Sequence, residues 1–257
     1  MGLIYFAVIL GASIIGAITG LGGGLIIRPV FDSISYHSVL NIGFFASTSV
    51  LTMAVVSTIR KLRDGSVIDW ALVLPTGIGA MTGGVIGNLL LEHLIYALPE
   101  PRNAQQVQVV AAVTVISFAI YVSLRNNKRL YLPNKWWCMP VGVCLGIIAS
   151  FLGMGGGPIN VPFFMIFWGM GIKDATTYSI AIIFFSHLAR LITLGFTVGY
   201  SYFDLPILLF VIPAAVTGGL LGTRFSKVLP PHAVKRMFIV ALLGVICLNL
   251  FNLFFVI

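Results

Sequence analysis

"GLGGGLIIRP" spans Gly20–Pro29 and "GMGGGPINVP" spans Gly153–Pro162. Each sets three glycines in a row inside an apolar run, with a proline five residues after the last. Such a triplet interrupts a helix, because glycine loses the most backbone freedom on folding. In a bilayer the freed N–H and C=O groups find no water. A break of this kind therefore survives only where it faces protein, a water-filled cavity or a ligand. The segment after each break starts a new helix, whose first N–H groups are unpaired and carry the positive end of the helix dipole. Glycine admits a ligand close to that backbone, and the arrangement suits an anion. Pro29 and Pro162 lie beyond the first turn, where proline kinks a helix and frees a carbonyl.

The surroundings of the two breaks are those of a membrane protein. Of 257 residues, 59% are hydrophobic and 9% charged, with mean hydropathy +1.06. A soluble domain carries roughly 25% charged residues. The apolar runs are far longer than the ~10-residue strands of a membrane barrel, so the fold is all-α and polytopic. They cover 3–19, 24–31, 39–59, 67–91, 107–124, 136–152, 157–172, 177–198, 205–223 and 236–257. Polar breaks include 59–66, 92–106, 125–135, "KDATT" at 173–177, 199–204 and 224–236. The net charge of +8 sits in short clusters between the runs. That pattern fits topology control and contact with anionic lipid, not a nucleic-acid surface. Cys138, Cys144 and Cys247 have no CxxC or metal-site spacing and read as buried small hydrophobes. Residues 1–19 lack a basic leader and belong to the repeat described next, so no removable signal peptide is expected.

The chain repeats itself. Gly22–Gly24, Pro29 and Phe31 match Gly155–Gly157, Pro162 and Phe164 at an offset of 133. "TGGVIG" at Thr82–Gly87 matches "TGGLLG" at Thr217–Gly222 at an offset of 135. Two related halves follow, about 1–130 and 131–257, forming one transmembrane domain. Placing the 59–66 cluster in the cytoplasm obeys the positive-inside rule through residue 135. If 136–172 then crossed once, Arg224, Lys227, Lys235 and Arg236 would lie outside. A down-and-back pair, either re-entrant or two short spans, returns that cluster to the cytoplasm and leaves 199–204 outside. The halves are then inverted copies, each a Gly-broken helix pair followed by three transmembrane helices. Inverted repeats with broken helices characterise secondary transporters, whose site lies near the bilayer midplane.

Gly16–Gly20, Gly83–Gly87, Gly142–Gly146 and Gly218–Gly222 have the small-xxx-small spacing of close helix packing. The triplets exceed what packing requires. Neither is a phosphate-binding P-loop, since no Lys-Ser/Thr follows, and the dinucleotide pattern lacks its last glycine.

With its duplicated glycine-triplet and TGGxxG motifs, the chain resembles the sulfite exporter TauE/SafE family, also called the toluene sulfonate uptake permease family, over essentially its whole length. The resemblance implies a multi-pass protein of the bacterial or archaeal plasma (inner) membrane that transports sulfite, organosulfonates or related sulfur-containing anions. It also implies Gly22, Gly23, Gly24, Gly155, Gly156 and Gly157 as a shared motif. The two motifs are not identical, since Arg28 precedes the first proline and Val161 the second.

Charge inside a membrane segment defaults to function. Arg28 leans back toward the first break and either pairs with an anion there or snorkels to the interface. Arg190 shares a helix face with Ser186 and His187, and either binds an anion, serves freed carbonyls or snorkels to the interface. His187 is either a hydrogen-bonded core histidine or the one candidate proton carrier. Asn160, Ser47 and Thr48 offer neutral donors, with interhelical hydrogen bonding as the alternative for the Ser/Thr run. All seven acidic residues fall at segment ends or in loops. An anion is thus a better cargo than a cation, and no carboxylate is placed for proton coupling. The expected function is transport of small sulfur-containing anions by alternating access. A passive anion channel or a membrane subunit of a larger complex is the alternative. No cofactor is implied, and an intramembrane enzyme is disfavoured because no nucleophile–base arrangement is present. Lipid and the anion are the expected partners, with oligomeric state open.

Overall fold

The computed structural model describes residues 2–34, 36–97, 101–124, 135–152 and 157–255. Among them are ten α-helices and no strand. The first group is α1 (Gly2–Thr19), α2 (Gly24–Ile34), α3 (Val39–Arg63), α4 (Trp70–Ala97) and α5 (Pro101–Leu124). The second is α6 (Cys138–Phe151), α7 (Gly157–Phe167), α8 (Ile172–Thr197), α9 (Leu208–Val228) and α10 (Pro231–Phe255). Seven candidate spans are long and apolar enough to cross a bilayer, while α2, α6 and α7 are short. The order is therefore a broken pair and three long helices, twice over.

The helices overrun the apolar segments. α3 continues through Arg60, Lys61 and Arg63, and α10 starts at Pro231. Polar side chains at helix ends reach interfacial water while the backbone stays hydrogen-bonded. "KDATT" is not a break but the first turns of α8. Thr176 and Thr177 donate their hydroxyls to the Lys173 carbonyl at 2.8 and 2.9 Å, which lets them be buried in a helix. The cysteines also differ from expectation. Cys138 is buried, whereas Cys144 and Cys247 are exposed on outward faces, which an apolar bilayer accommodates.

Contacts fix the direction of each helix. Lys227 Nζ lies 3.2 Å from Asp64 Oδ1, and Lys61 Nζ donates to Thr177 Oγ1 at 2.9 Å. The end of α3, the start of α8 and the end of α9 thus share one end of the bundle, the basic one. At the other end, His37 Nε2 lies 3.5 Å from Asp204 Oδ2. The Tyr5 hydroxyl is 2.7 Å from His37 Nδ1, and the Tyr5 ring lies 4.2 Å from Phe31. α1 therefore starts where α2 finishes, and α3 and α8 run antiparallel. α7 finishes at the basic end, where Phe164 meets Tyr178 and the Tyr178 hydroxyl accepts from the Asp69 amide at 2.9 Å. Trp70, Trp136 and Trp137 are exposed at the basic end, and Tyr36, Tyr200 and Tyr202 at the other. These are the positions of interfacial aromatic belts.

The TGGxxG glycines pack as their spacing predicts. Gly83 and Gly87 meet the backbone of Val143 and Ile147 on α6, and Gly142 and Gly146 meet Thr76 and Ala80 on α4. Residue numbers rise together, so α4 and α6 are parallel. Gly218 and Gly222 meet Ser13 and Ile14 on α1, so α1 and α9 are parallel too. Each group's first helix packs on the other group's fourth, α1 on α9 and α6 on α4. Likewise α2 touches α10 and α7 touches α5. One apolar core gathers round α1–α2, with Tyr5, Phe31, Phe45 and Phe203. Another gathers round α7, with Val161, Phe164, Tyr178 and Leu72.

This directionality predicts a labelling pattern. In a cysteine-free background, a membrane-impermeant maleimide should label Ser66→Cys and Ser201→Cys from opposite sides of the membrane, Ser66→Cys from the cytoplasm. Both residues are exposed. Labelling of both from one side would contradict the arrangement.

Candidate anion site

The first break is a left-handed turn. Gly20, Gly22 and Gly23 have φ of 75°, 79° and 51°, which only glycine adopts freely. The Gly20 carbonyl accepts from Ser179 Oγ at 2.7 Å, so a freed acceptor is satisfied by α8. A side chain at Gly22 would meet Ile183 Cδ1 at 3.0 Å. Gly157, the first residue of α7, packs directly on the Leu21 backbone. The first break is therefore wedged between the start of α7 and the face of α8. Gly155 and Gly156 lie outside the described residues.

α2 then starts deep in the bundle. The point where a Cβ of Gly24 would sit lies 3.0 Å from Val50 and 3.9 Å from His187 Cε1, both near the middle of their helices. Its N-terminal dipole thus ends beside His187, near the middle of α8. His187 is buried and its Nδ1 has no hydrogen-bond partner among the described residues. One turn on, Arg190 lies over α3, with Nη2 2.9 Å from where a Gly43 side chain would begin. Glycine at 43 makes the room the guanidinium occupies. Arg28 lies on α2, one turn after Gly24.

Ser186, His187 and Arg190 line one small cavity of about 40 Å³, as their shared face predicts. Its other walls are α4, from Met81 to Asn88, and α6, from Gly146 to Ser150. Asn88, Ser150 and Thr193 add neutral polar groups that sequence reasoning missed. Among the described residues no carboxylate lines the cavity, and Arg190 is the one formally charged residue that does. A guanidinium presents a planar fork of donors suited to the paired oxygens of a carboxylate, sulfonate or sulfite. Among the described residues, no three or more His, Cys, Asp or Glu side chains gather to hold a metal ion.

The neutral donors fare differently. Ser47 donates to the Gly43 carbonyl of its own helix at 2.7 Å, and Ser49 to that of Ala46 at 2.9 Å. These bonds are intrahelical, where interhelical ones were the expected alternative, because a serine hydroxyl reaches the preceding turn most easily. Thr48 Oγ1 is buried without a partner among the described residues. Asn160 is 2% exposed on α7, and its Oδ1 is likewise without one.

Comparison with known proteins points to membrane transporters. The probable membrane transporter protein MJ0441 of Methanocaldococcus jannaschii is 23% identical over 246 residues, covering 90% of this chain and 88% of its own. The probable membrane transporter protein MamO of Paramagnetospirillum magneticum is 24% identical, covering 93% of this chain. The match takes in 42% of MamO, so the chain spans less than half the length of that relative. No solved structure gives a significant match. The model of the sulfite exporter TauE/SafE family matches residues 5–249, and the chain, a multi-pass membrane protein, belongs to that family of membrane transporters.

Proposed function

We propose that the protein carries small sulfur-containing oxyanions, sulfite or organosulfonates, across the plasma membrane by alternating access. The observation that carries this reading is the pairing of Arg190 and His187 in a carboxylate-free cavity beside the N-terminus of α2. Arg190 would grip the anion's oxygens, and the α2 dipole and neutral hydroxyls would complete its shell. The family name supports sulfite as the cargo class. Mechanistically, the antiparallel α3 and α8 and the exchanged packing of α1–α9 and α6–α4 suit two inverted halves that rock about a central site. A cavity of about 40 Å³ fits a carrier holding one occupant better than an open pore. In proteoliposomes, radiolabelled sulfite should exchange saturably against internal sulfite or organosulfonate. Absence of saturable exchange across sulfite, sulfonates and carboxylates would sink the proposal. Flux that is voltage-driven and does not saturate would instead support a passive channel.

A further inference from the structure

A second cavity, of about 220 Å³, lies at the basic end of the bundle between the 59–66 turn, the start of α8 and the end of α9. Thr177 lines it, and Arg190 is 13 residues further along α8, roughly 20 Å away at helical rise. The two cavities are separate sites. Lys61 lines the second one while only 6% exposed. Its Nζ donates to Thr177 Oγ1 at 2.9 Å, and the Thr177 hydroxyl in turn donates a hydrogen bond to the Lys173 carbonyl. An ammonium has three donors, and one hydroxyl does not balance a charge.

The other charges are arranged around this residue rather than on it. Lys227 pairs with Asp64 at 3.2 Å, and Arg60 lies 3.5 Å from the same carboxylate. Lys173 donates to the Lys227 carbonyl at 3.2 Å. Asp174 lines the cavity, yet no carboxylate among the described residues lies within ion-pair range of Lys61. With Asp64 neutralised by its own cations, Lys61 and Lys173 outnumber Asp174 and leave the cavity net positive and attractive to an anion. Ser226, buried, adds a hydroxyl to the same wall. The volume equals several waters at about 30 Å³ each, enough for a tetrahedral ion with part of its hydration.

We propose that this cavity is a second anion site, binding a tetrahedral oxyanion with Lys61 as its principal ligand and Lys173 in support. Free sulfate or phosphate and the phosphate of an anionic lipid share that chemistry, and basic pockets on the cytoplasmic side of a bilayer meet both. The site stands whether or not Arg190 carries the transported anion.

The test is equilibrium binding of radiolabelled sulfate to the full chain in phosphatidylcholine nanodiscs. Wild type and Arg190→Ala should both bind at this site. Lys61→Met should lose about tenfold or more in affinity, the scale expected for removing a buried charged ligand. Lys173→Gln, a half-buried position, should weaken binding severalfold and serves if Lys61→Met fails to fold. Asp174→Asn should tighten it, since a repelling carboxylate is gone. Repeating the wild-type measurement in discs containing phosphatidic acid identifies the source. Displaced sulfate assigns the occupant to a lipid phosphate, and undiminished binding assigns it to a soluble oxyanion. No saturable sulfate binding to Arg190→Ala overturns the proposal, as does wild-type affinity in both Lys61→Met and Lys173→Gln.

Discussion

Arg190→Ala is expected to cut sulfite exchange in proteoliposomes by about 30-fold or more while the protein still purifies as a folded species. The cavity holds one formal charge among its lining residues, and that charge is this guanidinium. Truncating one partner of a buried, hydrogen-bonded charge pair costs about 2–5 kcal/mol, or roughly 30-fold to several thousandfold in binding. Arg190→Lys should fall between the two, because an ammonium keeps the charge but loses the planar fork. Arg28 gives a useful comparison. It sits on α2 and is not among the residues that line the cavity. Arg28→Ala should therefore impair exchange less than Arg190→Ala. Exchange by Arg190→Ala at the wild-type rate would remove this residue from the transport site.

Gly157→Ala should be the most damaging conservative change in the chain. A methyl there would overlap the carbonyl and Cα of Leu21, and backbone at a break cannot rotate aside. Overpacking of this kind costs about 1–3 kcal/mol and occasionally more. Here it would also push the first break off α7. The expected result is a Tm in detergent several degrees below wild type, together with loss of exchange. Gly11 and Gly244 supply the controls, since nothing lies within 4 Å of a side chain at either. Alanine at those positions should leave the Tm unchanged or raise it, because alanine is favoured over glycine in a helix by about 1 kcal/mol. Equal behaviour of all three variants would show that the breaks are not pressed together.

Much of this architecture is written locally in the chain. The breaks are legible because a glycine triplet has no role inside a spanning helix, and Ser186, His187 and Arg190 are legible as a set because helical spacing puts them on one face. What faces them is not. Asn88 and Ser150 come from elements that sequence spacing does not connect to α8, and Gly43 announces nothing about a guanidinium lying over it. Lys61 was hidden for a different reason. In sequence it is one of three cations in a loop-like cluster. Only the continuation of α3 to Arg63, and of α8 back to Ile172, brings it to Thr177 and away from water. Hydropathy locates where a helix is greasy, and polar helix ends are invisible to it.

The exchange of partners between the two groups of helices also sets an order of events at the ribosome. α6 follows its partner α4 with only α5 between them, and Gly83 meets Val143 60 positions later. α1 must wait for α9, since Ser13 meets Gly218, 205 positions later. At about 5–20 residues per second, α1 stays without its partner for roughly 10–40 s of synthesis. For the first part of that interval, until α7 and α8 have been made, the glycine turn at 20–24 has neither Gly157 nor Ser179 against it. Nascent α1–α2 is thus the part of the molecule most in need of shelter by the insertion machinery, and a chain truncated before α7 exposes the same bare turn to quality control.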